Sequence, residues 1–186
     1  VLANVGEILG RETIADCMQD GSIAPFFHKV LTEEIAPHVD AVPGMTPLQY
    51  VAQVERRFRN PSIKDTTRRV AFDGSSRHPG FVLPLVRKAL HAGAPLDGLA
   101  LVEALWARMC SGQREDGSAI EPNDPAWISL NTAALAARTR PQAWLEQSQI
   151  YGDLAQNERF RDAFVEAYKT VASRGAKWSL QDYVSA

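Results

Sequence analysis

Apolar residues recur at three- and four-residue intervals along almost the whole chain, and no segment shows the two-residue alternation of a half-buried strand. That pattern restricts the fold to packed helices. Residues 157–174 show it most clearly: Phe160, Phe164, Tyr168 and Val171 share one face, Asn157 can cap the start, and Gly175 stops it. The spacing predicts a single helix over 1–18 carrying Ile8, Ile14 and Met18, in which Gly6 and Gly10 weaken the helix or admit a close neighbour. A second helix is expected over 24–36, with Phe27, Val30, Leu31 and Ile35 on one face, and Pro43-Gly44 marks a loop at 41–45. Thr46-Pro47 opens the next helix with a capping hydroxyl and a proline at its first position, and Asn60-Pro61 ends it. Further helices are expected at 62–72, 81–91, 96–111, 125–138 and 141–151, with a turn over 73–80. The long polar connection 111–124 has room for a small hairpin around Asp116-Gly117. The fold class read from this is all-α and multi-helical, one domain spanning 1–186.

The chain is long enough to bury roughly 70% of its unfolded surface. Its 45% hydrophobic and 23% charged content is that of an ordinary globular protein. No apolar run approaches the roughly 20 residues of a membrane helix, so no membrane partner is expected. The 20 basic and 22 acidic residues leave a net charge of −2, which argues against a nucleic-acid partner. Cys17 and Cys110 stand far apart, with no pairing motif, and read as buried thiols in a reducing, cytoplasmic protein. No signal peptide opens the sequence. There is no initiating Met, and Val1 falls partway into the first expected helix, so a fragment of a longer protein is expected.

Charge is concentrated. Arg56, Arg57, Arg59, Lys64, Arg68, Arg69 and Arg77 are opposed between 56 and 77 only by Asp65 and Asp73. Guanidinium and ammonium groups donate readily to hydroxyl, carboxylate or phosphate oxygens, so this run suits a small anionic or polyhydroxylated ligand. On charge alone, a solvated helix face with local ion pairs accounts for it more simply. The run Asp73-Gly74-Ser75-Ser76-Arg77-His78-Pro79 is a second polar concentration and, on spacing alone, an interhelical turn. His28, His38, His78 and His91 lack any metal-ligand spacing, so no metal is expected, and His78 reads as a turn residue. Trp106, Trp127, Trp144 and Trp178 read as core or groove anchors. There is no glycine-rich phosphate loop, βαβ alternation or internal repeat.

Two segments together carry a resemblance: Arg57-Phe58-Arg59-Asn60-Pro61-Ser62-Ile63-Lys64-Asp65, then Asp73-Gly74-Ser75-Ser76-Arg77-His78-Pro79. They are similar to the signature of the long-chain mannitol dehydrogenase family, whose members oxidise polyols or reduce fructuronate and tagaturonate. Weaker likenesses are Gly6 and Gly10 with Thr13 and Asp16-Cys17-Met18, Trp106 through Asn123-Asp124-Pro125, and Ile150-Tyr151-Gly152 with Phe160 and Phe164. The resemblance implies a helical C-terminal substrate domain of the mannitol dehydrogenase and 6-phosphogluconate dehydrogenase-like class. It further implies a separate N-terminal Rossmann domain, absent here, that binds NAD or NADP. The family's catalytic Lys, with its partner Asn and His, would fall just upstream of Val1, so no catalytic residue is expected within the chain, and this portion alone should be inactive. The implied chemistry is metal-independent hydride transfer between a nicotinamide and a secondary alcohol or ketone. By the same likeness Arg57, Asn60 and Lys64 would hold a small polyol or sugar-acid substrate, with Asp73, Ser75 and Arg77 shaping the pocket.

Three functions remain open on the sequence. The chain is the substrate domain of a polyol dehydrogenase or of a uronate reductase, a non-catalytic helical module whose basic segment docks an acidic partner, or a structural dimerisation domain. The enzyme reading predicts a cleft lined by Arg57 and Lys64. The module reading predicts an exposed apolar patch beside the basic face.

Overall fold

A computed structural model describes all 186 residues, Val1–Ala186, as helices and turns without a β-strand. The helices are α1 Leu2–Ile8, α2 Ile14–Gln19, α3 Ile23–Lys29, α4 Pro47–Phe58, α5 Thr67–Ala71, α6 Gly74–Arg77, α7 Leu83–Ala92, α8 Asp97–Cys110, α9 Trp127–Ala137, α10 Ser148–Tyr151, α11 Glu158–Arg174 and α12 Ala176–Ser185. Three isolated antiparallel bridges, Thr13 with Thr66, Val42 with Met45 and Gln113 with Ala119, are the only extended pairings. The last is the hairpin expected around Asp116-Gly117. No helix is long and apolar enough to cross a membrane.

α8 is the axis of the molecule. Every residue from Gly98 to Ala107 is buried, so this helix has no solvent face and must be surrounded. α11 supplies the largest flank through Phe160, Phe164, Tyr168 and Val171, all buried as their spacing predicts. α1 and α9 close other sides. Trp106 and Trp144 are fully buried and meet edge to face, with ring centroids 5.0 Å apart. Trp127 is half-buried, and Trp178 lies near the surface beneath the Arg174 guanidinium. The N-terminus of α8 has no local side-chain cap. Glu34 caps it from a distance, accepting from Gly98 N at 2.7 Å and Leu99 N at 2.9 Å. The Tyr183 hydroxyl donates to the same carboxylate at 2.8 Å, and Lys29 Nζ donates to the Tyr183 carbonyl, which binds α12 to α3.

Several elements differ from the sequence expectation, each for a physical reason. The expected 1–18 helix is two helices, because Gly10 takes a left-handed φ of +66° and Thr13 opens α2 with a reciprocal cap on Asp16. The 24–36 helix stays α-helical only to Lys29. It widens to a π turn over Val30–Ile35 and tightens to a 3-10 turn over Ala36–His38, where Pro37 has no N–H to continue the ladder. The 62–72 helix shrinks to Thr67–Ala71, because the Asp65 carbonyl accepts from Ile14 N and Thr67 N donates to the Glu12 carbonyl. The 73–80 turn is instead the helical turn α6 followed by a π turn over His78–Val82 that runs into α7. Pro79 and Pro84 delete two backbone donors there. The 141–151 segment divides into a 3-10 stretch Pro141–Glu146 and the short α10. Past Gly175 the chain turns and forms α12, a helix that the sequence reading did not include.

Gly6 sits where α1 crosses α2 and α5. A Cβ there would lie 2.5 Å from Thr67 Cγ2 and 2.6 Å from Cys17 Sγ. Gly6→Ala should therefore lose about 1–3 kcal/mol in a urea melt; a loss below about 0.5 kcal/mol would show that the crossing is loose. Asp20 holds the corner between α2 and α3, accepting from Ser22 N, Ser22 Oγ, Ile23 N and Arg11. Burial alone would raise its pKa, but the hydrogen bonds from Ser22, Arg11 and Ile23 prevail and hold it at about 2. The folded value lies below the ordinary one, so the stabilisation is complete above about pH 4 and is lost as pH falls through about 2. Asp20→Asn should thus be less stable than the wild type at neutral pH, with the gap closing as pH approaches 2. A gap that persists unchanged at acid pH would refute the assignment.

Candidate functional site

A recess opens where α1, the end of α4, α5 and the α6–α7 turn converge. Leu2, Ile14, Phe27, Phe58, Val70 and Phe81 form its apolar walls, and Asn4, Arg77 and His78 supply its polar groups. The turn that carries Arg77 is built with care. Asp73 is the one non-glycine residue with positive φ, at +61°, and its carbonyl accepts from Ser76 N and Arg77 N to start α6. Gly74 follows because a Cβ would come within 2.6 Å of Trp106 Nε1. Asp124 clamps the turn from the far side, accepting from Ser75 N at 2.8 Å, Ser75 Oγ at 2.6 Å and Ala126 N at 2.8 Å. Asn123 adds its side chain on the Arg68 carbonyl, and its own carbonyl accepts from Asp73 N. Two motifs about fifty positions apart in sequence are thus one structural unit, positioned so that Arg77 reaches the recess and donates to the Val70 carbonyl at 3.2 Å.

Behind the recess lies a buried polar line. Asn4 Nδ2 meets His78 Nε2 at 3.2 Å, and His78 Nδ1 meets Glu103 Oε1 at 2.5 Å. Tyr151 donates its hydroxyl to Glu103 Oε2 at 2.7 Å and accepts from Trp144 Nε1 at 2.5 Å. The His78 ring stacks on Trp106 with centroids 3.9 Å apart. Burial, and then the Glu103 charge, push the Tyr151 phenol well above its ordinary pKa, so it remains a donor. The Trp106 indole N–H, packed against Gly74, has no acceptor.

The other expected residues lie elsewhere. Arg57 and Asn60 share a shallow groove with Tyr50, Gln53, Val54, Arg56 and Ile63. Phe58, next to Arg57, lines the recess, so the two sites flank α4 on different faces. The Arg57 guanidinium lies 5.1 Å from the Phe58 ring centroid, and Asn60 Oδ1 accepts from Ser62 N at 3.0 Å. Lys64 is exposed and lines neither hollow. Much of the basic run has structural employment. Arg59 donates to the Met18 carbonyl, Arg68 to the carbonyls of Glu121 and Pro122, and Arg69 pairs with Asp65. Ser75 is bound to Asp124, and Asp73 contributes its backbone.

The sequence reading missed Asn4, Glu103, Trp144 and Tyr151 as polar partners and took His78 for a turn residue. One signal was present: Glu103 is the only charged residue between Asp97 and Arg108, in an otherwise apolar helix. A lone carboxylate in such a run must find buried donors. Cys17 and Cys110 are free and buried. Burial comes first among the causes that push Cys17 up to about 12. Removing the clamp should be costly, since Asp124→Ala deletes the acceptor of three hydrogen bonds. Unfolding by urea should show a loss of about 2–3 kcal/mol; wild-type stability would mean that the turn holds itself.

The family model described as the mannitol dehydrogenase C-terminal domain matches residues 1–172. A mannitol 2-dehydrogenase of Cereibacter sphaeroides is 41% identical over all 186 residues, which span 39% of that protein. One of Aspergillus niger is 27% identical over 180 residues, covering 96% of this chain and 37% of that protein. Among solved structures, Pseudomonas fluorescens mannitol 2-dehydrogenase in ternary complex with NAD and D-mannitol superposes with a TM-score of 0.92. The match covers 99% of this chain and 38% of that one, at 24% identity. A substrate-free D-sorbitol dehydrogenase gives a TM-score of 0.85 over 96% of this chain and 37% of that one, at 23% identity. These two likenesses establish the fold, all-α as expected, and the family model establishes the kinship: the chain belongs to the mannitol dehydrogenase C-terminal domain family.

Proposed function

We propose that this chain is the substrate-holding domain of a nicotinamide-dependent polyol dehydrogenase that interconverts a sugar alcohol and a ketose by hydride transfer. The observation that carries the reading is the 41% identity, over every residue of the chain, to a mannitol 2-dehydrogenase. The relatives named above are polyol dehydrogenases. That favours this reading over uronate reduction and over a non-catalytic interaction module.

The chain spans 39% of that relative. In the remaining length, ahead of Val1, we place a Rossmann-like cofactor domain and the reacting Lys, Asn and His. The 186 residues do not themselves fit a dinucleotide: they contain no strand and no glycine-rich phosphate loop. We assign the cofactor, NAD or NADP, to that other domain. A cytoplasmic location accords with two unpaired thiols.

What this chain contributes is orientation. Arg77 is the one charged side chain of the recess and presents several N–H donors to hydroxyl oxygens. One cation and one amide are too few for a polyol. The remaining donors would come from the cofactor domain closing over this face, where Phe81 at 73% exposure offers apolar contact. Arg57 and Asn60 mark the alternative groove, Lys64 lies outside both hollows, and Asp73 and Ser75 serve the reading by holding Arg77.

The test is the intact two-domain enzyme on a panel of polyols, ketoses and uronates with NAD and NADP. Turnover of a polyol supports the reading, and turnover of uronates alone replaces it. Arg77→Ala and Arg57→Ala, made separately, locate the substrate. The variant that touches substrate should lose about 10- to 100-fold in kcat/KM while cofactor affinity stays within about twofold. Equal losses in both quantities, or none in either, would remove that arginine from the site.

A further inference from the structure

Of the buried line behind the recess only Asn4 has a part in the function so far proposed, and the line is expensive to maintain. Asn4 is 6% exposed, His78 5%, and Glu103 and Tyr151 are fully buried. A carboxylate in an apolar core is destabilising unless every lone pair is answered. Here apolar side chains would have filled the space among Trp106, Trp144 and Phe160. Buried ionisable groups beside a recess point to work other than stability.

The chemistry of the line fixes its polarity. An amide nitrogen only donates, so Asn4 Nδ2 donates and His78 Nε2 accepts. The ring proton then sits on Nδ1 and goes to Glu103 Oε1. Oε2 is occupied by the Tyr151 hydroxyl, itself fixed by Trp144. Glu103 thereby selects the tautomer of His78, and only that tautomer presents an acceptor to Asn4. The Asn4–His78 bond is the one side-chain hydrogen bond between α1 and the turn that carries Arg77. The other contacts between them across the recess are apolar and tolerate sliding; a hydrogen bond fixes distance and angle.

We propose that Asn4, His78 and Glu103 form a positioning relay that sets α1 against the Arg77 turn and so shapes the recess for turnover. His78 is a positioning residue, acting through Asn4 on one side and its neighbour Arg77 on the other. The inference rests on the reading of that recess as the substrate site.

The test inverts the polarity of the line in the intact two-domain enzyme. In Glu103→Gln the amide oxygen retains the Tyr151 hydroxyl and the amide nitrogen donates to Nδ1. The ring proton moves to Nε2, where it meets Asn4 Nδ2, and the bond re-forms only if the Asn4 amide turns over to accept with Oδ1. The variant should lose at least about tenfold in kcat with cofactor affinity unchanged. Adding Asn4→Asp supplies an acceptor to Nε2–H and should return kcat to within about threefold of the wild type, a coupling that lost packing does not produce. Ring ¹⁵N shifts should report Nδ1–H in the wild type and Nε2–H in the double variant. Unchanged kcat in E103Q, or no recovery in the double variant, overturns the relay. If E103Q does not fold, Asn4→Leu decides, because it keeps the branched shape and removes the donor: kcat should fall, and wild-type turnover overturns the relay. A wild-type enzyme inactive on every polyol overturns the functional reading instead. The ring tautomers then decide the relay alone, and an Nε2–H wild type would overturn it.

Discussion

The constraint on which the rest of the structure depends is that α8 has no face for water. A helix apolar on all sides is stable in solution only when neighbours cover its whole circumference. α11, α1 and α9 supply that cover: α11 turns an apolar stripe to it, α1 is buried along its whole length, and α9 covers it while leaving Ile128 and Leu135 exposed. The order of elements follows from this need. Small residues such as Gly98, Ala100, Ala104 and Ala107 let neighbours approach the axis, while Leu99, Leu105 and Trp106 fill the gaps between them.

Glu103 is the exception within that axis, and its position explains how core and recess communicate. The carboxylate takes one donor from the His78 turn and one from α10, so the elements that bring them are held in mutual register with α8. Asp124 does the same on the outer side of the Arg77 turn with three donors of its own. The recess is therefore gripped between two carboxylates, one buried and one half-buried. The strained backbone of Asp73 lies between them, where the surroundings over-determine it.

The sequence reading succeeded where local physics decides and failed where distant pairing does. α4 and α11 are capped by their own residues, Thr46 with Gln49 and Asn157, and carry their own apolar stripes, so both were legible. The stretch before α5 was not, because its backbone groups are used by Glu12 and Ile14, more than fifty positions earlier. The π turns were invisible for a related reason: a proline signals a break, but neighbours decide whether the chain widens or turns away. In the site, charge clustering drew attention to Arg57, Asn60 and Arg77, which line two different hollows. Much of the same cluster turned out to be anchorage to carbonyl groups. Glu103 was the converse case: one isolated letter whose meaning depended on His78 and Tyr151, which no spacing rule connects to it.

The remote capping of α8 has a kinetic consequence. The helix at the centre of the core cannot finish its own N-terminus. It requires Glu34, oriented by Tyr183 near the other end of the chain. Contacts of such long sequence separation form late, because loop closure must precede them. During synthesis Tyr183 leaves the ribosome after α1–α11, long after the Glu34 that it orients. Until α12 docks, Glu34 holds the Gly98 and Leu99 amides without the hydroxyl that orients it, so α12 acts as the closing clasp of the folding reaction.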